Sequence, residues 1–192
     1  MRAGAAKRIL FVGAEVHTGF MPFSKHGWDA VSGFTDEPLP ASEIEWNSKF
    51  RHLVVLFGDA AGACIIGPTD DPKRGILGFA LHTDGKNAES LYVPSAGFKY
   101  RPYYSAEQAK EGHGVPVMDG KNVFKMAVTK MPEAILEVCG KTGLTLNDIN
   151  LVIPHQANLR ISEAVQKALK LPDERVYNNI QNYGNTTAAT IP

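Results

Sequence analysis

Cysteine is scarce in this sequence, charge of one sign is not in excess, and no long apolar run is present. Only Cys64 and Cys139 occur among 192 residues. They sit in "GACIIG" and "LEVCGK", apolar patterns in which a thiol behaves as a small hydrophobe. Neither has the basic neighbours or helix N-terminus that lowers a thiol pKa, so both are expected to be structural. Twenty basic residues balance twenty acidic ones. No net field therefore draws the chain to nucleic acid or to an anionic membrane, and a charged partner has to be met by a local patch. The longest apolar runs, such as "LVVLFG" from Leu53, fall far short of the roughly 20 residues that span a bilayer. The stretch "MRAGAAKRILFVGAEV" lacks a signal-peptide cleavage site, and a cytoplasmic protein is expected.

Several motifs are missing as well. "GDAAGACIIG" has neither the G-x-G-x-x-G spacing nor a following GK[ST], and it continues as strand where a phosphate loop opens a helix. Its small residues are better explained by close packing of sheet and helix. His17, His26, His52, His82 and His113 show no H-E-x-x-H or similar spacing, so no metal is expected. No G-x-S-x-G elbow supports a serine hydrolase.

What is there is a 44% hydrophobic chain, enough for one substantial core or two halves sharing one. "RILFVGAEV", from Arg8 to Val16, reads as a buried strand. Residues 17–50 carry Phe20, Phe23, Trp28, Phe34, Trp46 and Phe50 among prolines and glycines without a sustained period, and read as a packed lid or interface loop. Strands are expected over His52–Phe57, Ala63–Gly67 and Gly75–Gly85, followed by a polar and aromatic connection over residues 86–117. From Asn122 apolar residues recur at helical spacing, with a kink or restart at Pro132 and a stop at Gly140. "LTLNDINLVIP" reads as a buried strand and "NLRISEAVQKALK" as a helix with Ile161, Ala164, Val165, Ala168 and Leu169 on one face. A short strand and a Gly-Asn turn close the chain, and the fold class is mixed α/β.

Two polar features stand out against this frame. His155 follows Pro154 at the end of a buried strand and just before a helix, so rigid elements hold it while its ring can face a cavity. On local pattern alone a hydrogen-bonded structural histidine is the commoner outcome. In "YGNTTAAT", Gly184 permits a tight turn and Asn185 offers an amide donor, although a Gly-Asn pair by itself is usually only a turn. A neutral histidine N–H and an asparagine N–H aimed at one oxygen would form an oxyanion hole.

"FGDAAGACIIG", "MDGKNVFKMAV", "LVIPHQANLRI" and "YGNTTAATIP" stand in the order found in beta-ketoacyl-[acyl carrier protein] synthase III, a condensing-enzyme family of the thiolase superfamily, and the sequence resembles that family over nearly its whole length. The resemblance implies a thiolase-like fold of two layered α/β halves, normally homodimeric. Residues 1–100 would be the end of the N-terminal half, with the aromatic loop at 17–50, and residues 101–192 the start of the C-terminal half. The implied activity moves an acyl group from acyl-CoA to a cysteine and condenses it with malonyl-[acyl carrier protein], losing carbon dioxide, to begin fatty acid synthesis. Coenzyme A enters as a thioester substrate, and no cofactor is implied.

His155 and Asn185 match two members of the family's Cys-His-Asn triad. The cysteine itself would lie a couple of dozen residues before Met1, and Cys64 belongs to a different motif. The sequence also stops before the family's final helix, strands and glycine-rich loop, so it reads as an internal fragment, incomplete at both ends and inactive alone. By the same resemblance Arg51 would stack on the CoA adenine, while Phe124, Ala157, Asn158 and Ile161 line the pantetheine tunnel with a backbone contact from Gly120. Lys121 stands where the family often has asparagine or arginine, and Ala60 replaces a usual glycine. Lys121 and Lys125, one helical turn apart, with Arg160 and Lys167 on the next helix, form a basic patch suited to an acidic acyl carrier protein. Two alternatives stay open: a nucleophile-free domain that binds CoA or acyl carrier protein, and a related condensing enzyme of secondary metabolism.

Overall fold

A computed structural model describes residues 5–192 apart from 73, 96, 99, 100 and 102. The residue-100 boundary, and Lys99, Tyr100 and Pro102 of "FKYRPYYS", lie outside the described residues. In chain order the elements are β1 (Ile9–Glu15), α1 (Lys25–Val31), α2 (Ala41–Val54), β2 (Ala60–Ile66), β3 (Leu91–Tyr92), α3 (Ala106–Lys110), β4 (Val117–Met118), α4 (Gly120–Thr142), α5 (Leu159–Leu169) and α6 (Ile180–Tyr183). Short 3₁₀ turns separate them. The chain divides into two compact units. One comprises Met1–Val16, Gly58–Gly85 and Lys121–Pro192, and the other His17–Phe57 and Lys86–Gly120.

In the first unit the core forms where α5 lays one face on its neighbours. Ile161, Val165 and Leu169 recur every four residues and are buried with Val152, Leu171 and Val176. Ala127, Val128, Met131 and Ile135 of α4 pack against that cluster. The α5 helix starts where the Asn158 carboxamide oxygen accepts from the Arg160 N–H, and it ends at Lys170 in the left-handed region, φ 53°. Truncating Ile161 to alanine removes buried contacts worth about 2–5 kcal/mol.

The α4 helix overturns the expected restart at Pro132 and stop at Gly140. It runs unbroken through Pro132 and Gly140 to Thr142. Pro132 lacks the N–H that would bond to residue 128, but it is buried, and the packing of Val128, Met131 and Ile135 on either side holds the helix together. The true terminator is Gly143 at φ 72°, with the Leu144 N–H returning to the Cys139 carbonyl at 3.0 Å.

β1 and β2 pair antiparallel, Gly13 opposite Gly62. The strand at residues 9–15 is present, but the expectation that it is buried fails: within β1 only Gly13 is buried. Burial on both faces needs covering layers and neighbours on both edges, and among the described residues β2 is the one neighbour. Cys64 shares this exposure and does not fill a core, whereas Cys139 is buried as expected. Residues 75–85 form no strand, because no described backbone pairs with them. Before His155, the expected buried strand shrinks to one parallel bridge between buried Val152 and Val176.

The second unit overturns the loop reading of residues 17–50 and the strand at 52–57. This stretch holds α1 and α2, the latter running on to Val54. Ser24 caps α1, its hydroxyl accepting from the Gly27 N–H and donating to Glu43 Oε1 at 2.6 Å. Trp46 and Phe50, one turn apart on α2, meet edge to face at 4.9 Å between centroids. Gly112, at φ 79°, is required beside them: a Cβ there would lie 2.5 Å from Phe50 Cζ. Residues 86–117 are likewise more than a connection, holding α3 and strands β3 and β4, which pair antiparallel.

Candidate functional site

His155 occupies a short link between two fixed points of the first unit. Upstream, the Val152 N–H donates to the Arg175 carbonyl and the Val152 carbonyl accepts from the Tyr177 N–H, both at 2.9 Å. Pro154 is buried, and downstream Asn158 caps α5. The imidazole is half-buried, and burial alone pushes its pKa below the ordinary histidine value. At neutral pH the ring is therefore uncharged, with one N–H donor and one acceptor nitrogen.

Asn185 follows α6, whose last turn is broken by Gly184 at φ 67°. Its carboxamide oxygen accepts the Thr187 N–H at 3.1 Å. A backbone N–H at that distance fixes which end of the amide is oxygen, and the NH₂ group is left to donate elsewhere. The Asn185 carbonyl accepts the Gly58 N–H at 2.8 Å, tying this turn to the start of the small-residue motif.

The turn also sits hard against β1 and β2. A Cβ on Gly13 would fall 2.1 Å from the Ala188 carbonyl oxygen, and one on Gly62 would fall 3.1 Å from the Pro192 carbonyl carbon. This is the close packing expected of the glycine and alanine run. The Gln156 N–H donates to Thr190 Oγ1 at 3.2 Å, so the His155 and Asn185 loops are fastened together across 34 residues of sequence. A cavity of about 420 Å³ opens between Gly62, Ile153, Tyr177, Asn179, Thr186 and Thr190, and neither His155 nor Asn185 lines it. A larger one, about 810 Å³, lies between residues 80–84 and α4 and contains none of the expected site residues. Among the described residues no group of three or more His, Cys, Asp or Glu could hold a metal ion, and no helix is long and apolar enough to cross a membrane.

Comparison with known proteins bears on this arrangement directly. Residues 40–85 match the family profile of 3-oxoacyl-[acyl-carrier-protein (ACP)] synthase III, and residues 139–192, which include His155 and Asn185, match the profile of its C-terminal part. The beta-ketoacyl-[acyl-carrier-protein] synthase III of Roseiflexus castenholzii is 37% identical over the whole chain. The chain belongs to the beta-ketoacyl-[acyl-carrier-protein] synthase III family. The Caldanaerobacter subterraneus relative of the same name is 44% identical over 77% of the chain and 43% of its own length. A crystal structure of the Thermus thermophilus synthase III superposes with a TM-score of 0.71 at 38% identity, covering 100% of this chain and 50% of that one. The mixed α/β fold is thus thiolase-like. This chain spans about half the length of the relatives it matches.

The other positions taken from the resemblance are placed as follows. Arg51 is exposed in the last turn of α2, and it and Gly120 belong to the second unit. Phe124 is 38% exposed on α4. Ala157 packs against the core, Ile161 is buried within it, and Asn158 spends its carboxamide oxygen on the helix cap. Lys121 and Lys125 on α4, with Arg160 and Lys167 on α5, are all exposed. Sequence reasoning missed Gly58, Gly13 and Gln156. A glycine inside a β-branched strand was the available signal for Gly13, whereas Gln156, among the polar residues His155 and Asn158, gave none.

Proposed function

We propose that the complete protein condenses acyl-CoA with malonyl-[acyl carrier protein] by decarboxylative Claisen chemistry, and that this chain supplies the oxyanion donors, His155 and Asn185. The observation that carries the reading is the locked Asn185 carboxamide, its oxygen held by Thr187, on a loop fastened to that of a neutral, half-buried histidine. In the reaction the bond between the malonyl carboxylate carbon and the α carbon breaks. Its electron pair enters the enolate, whose oxygen takes up the negative charge as carbon dioxide leaves. The α carbon then attacks an acyl thioester on a cysteine, and the thiolate departs. Donors aimed at the enolate oxygen lower the barrier because charge develops there only in the transition state. Departure of carbon dioxide generates the carbanion, so no base is needed and a neutral histidine suffices.

The acyl-accepting cysteine is assigned outside these 192 residues, since neither Cys64 nor Cys139 stands in the family's cysteine motif. Arg51, Gly120, Phe124, Ala157, Asn158 and Ile161 are the proposed CoA contacts, and the exposed Lys121, Lys125, Arg160 and Lys167 the dock for an acidic acyl carrier protein. The proposed organisation is the family's, with thiolase halves dividing near residue 100, a homodimer and a cytoplasmic location. In the full-length protein, His155→Ala or Asn185→Ala slows carbon dioxide release from malonyl-[acyl carrier protein] by roughly 10²-fold or more, the scale for one oxyanion donor, while cysteine acylation survives better. Release at the parent rate in both variants would sink the assignment. Retained CoA binding with no carbon dioxide release in the parent would favour a nucleophile-free binding domain instead.

A further inference from the structure

Gln156 is 2% exposed, and a side chain that polar and that buried has to use every hydrogen-bonding valence it has. Its Nε2 donates to the carbonyls of Pro154 at 2.9 Å and Tyr177 at 3.2 Å. Its Oε1 accepts from the N–H groups of Asn179 at 2.9 Å and Ile180 at 3.2 Å. Two donors meet two acceptors and the oxygen meets two donors, so the amide orientation is fixed and nothing is left unmet. The backbone N–H adds the bond to Thr190 Oγ1.

These five partners have a pattern. Pro154 immediately precedes His155. Asn179 and Ile180 open α6, four residues long, which ends at Tyr183 just before the Gly184–Asn185 turn, and Thr190 closes the 3₁₀ turn on the far side of Asn185. One residue therefore grips the chain next to His155 and on both flanks of Asn185. Neither α6 nor the 3₁₀ turn is long enough to hold its own place by propensity, so their position depends on such anchors.

We propose that Gln156 is a positioning residue that sets the orientation of the Asn185 carboxamide relative to the His155 ring. This rests on the reading of those two side chains as the donor pair, and it adds the device that keeps two loops distant in sequence in one register. A single mispositioned donor is costly because an oxyanion site works only when its dipoles are already aimed before charge develops.

The test uses the full-length protein and resonances of the His155 ring and the Asn185 side-chain NH₂, followed by nuclear magnetic resonance. Gln156→Met keeps the volume and removes all four side-chain bonds; Thr190→Val removes one acceptor isosterically and carries the test should the first variant fail to fold, and Thr190→Ser keeps the hydroxyl as the control. Both disruptive variants are expected to shift the His155 ring and Asn185 NH₂ signals together, with Thr190→Ser returning to the parent spectrum. Changes confined to the amides of Asn179 and Ile180, with the two donors unmoved, overturn the assignment. In the full-length protein the same variants lower kcat for malonyl decarboxylation about tenfold or more with KM little changed. Coupled spectral shifts without any decarboxylation in the parent would leave Gln156 as the anchor and instead remove the oxyanion reading.

Discussion

Gly13→Ala and Gly58→Ala make a paired perturbation whose outcomes the structure separates sharply. At Gly13 the added Cβ would lie 2.1 Å from the Ala188 oxygen, 2.5 Å from its carbonyl carbon and 3.0 Å from the Ala189 nitrogen. All three are backbone atoms of the turn that follows Asn185, so no side-chain rotation relieves the clash. A carbon and a carbonyl oxygen rest at about 3.3 Å or more, hence the turn has to lift by about 1 Å or β1 has to yield. Overpacking of this kind costs typically 1–3 kcal/mol, and a backbone obstacle puts it at the upper end. At Gly58 the nearest atoms are backbone oxygens at 3.6 and 3.9 Å, an ordinary contact, and the substitution is expected to change stability by under about 1 kcal/mol. Urea denaturation measures both, with a lowered midpoint at unchanged slope for Gly13→Ala. Equal midpoints for the two variants would refute the argument that Gly13 is needed to seat the turn after Asn185.

Three further outcomes are expected. In the native chain a thiol reagent modifies Cys64 at once and Cys139 only as fast as the chain unfolds, because the first is exposed and the second buried; equal rates would contradict the burial pattern. His155 titrates below the ordinary histidine value. The unfolded chain then binds the extra proton first, so the stability this group contributes is present above a pH of about 6.5 and is lost as pH falls through the folded pKa, a slope that His155→Gln removes. Arg160→Glu weakens binding of acyl carrier protein by the full-length protein, with a strong salt dependence, while leaving acylation by acyl-CoA intact; equal loss of both would point to a folding defect.

What could be read in advance divides along a physical line. Local features were legible: α5 announces itself by Ile161, Val165 and Leu169 at four-residue spacing, and the family by its ordered motifs. Elements whose stability comes from a distant partner were not. The strand expected at residues 75–85 has the right residues but no described backbone to pair with, and α2 was hidden because Phe50, packed on the Trp46 ring, is its one buried residue, where an aliphatic stripe would have signalled a helix. Pro132 misled for the complementary reason: the local rule against proline was outweighed by packing that sequence alone does not display. The same distinction runs through the site. His155 and Asn185 are each visible one at a time, but what fastens their loops together is a set of bonds reaching from Gln156 to residues 177, 179, 180 and 190, and from Gly58 to Asn185. Such bonds leave no periodicity behind. A buried glutamine costs desolvation that only a complete set of partners offsets, so its burial is itself the sign that distant backbone groups converge on it.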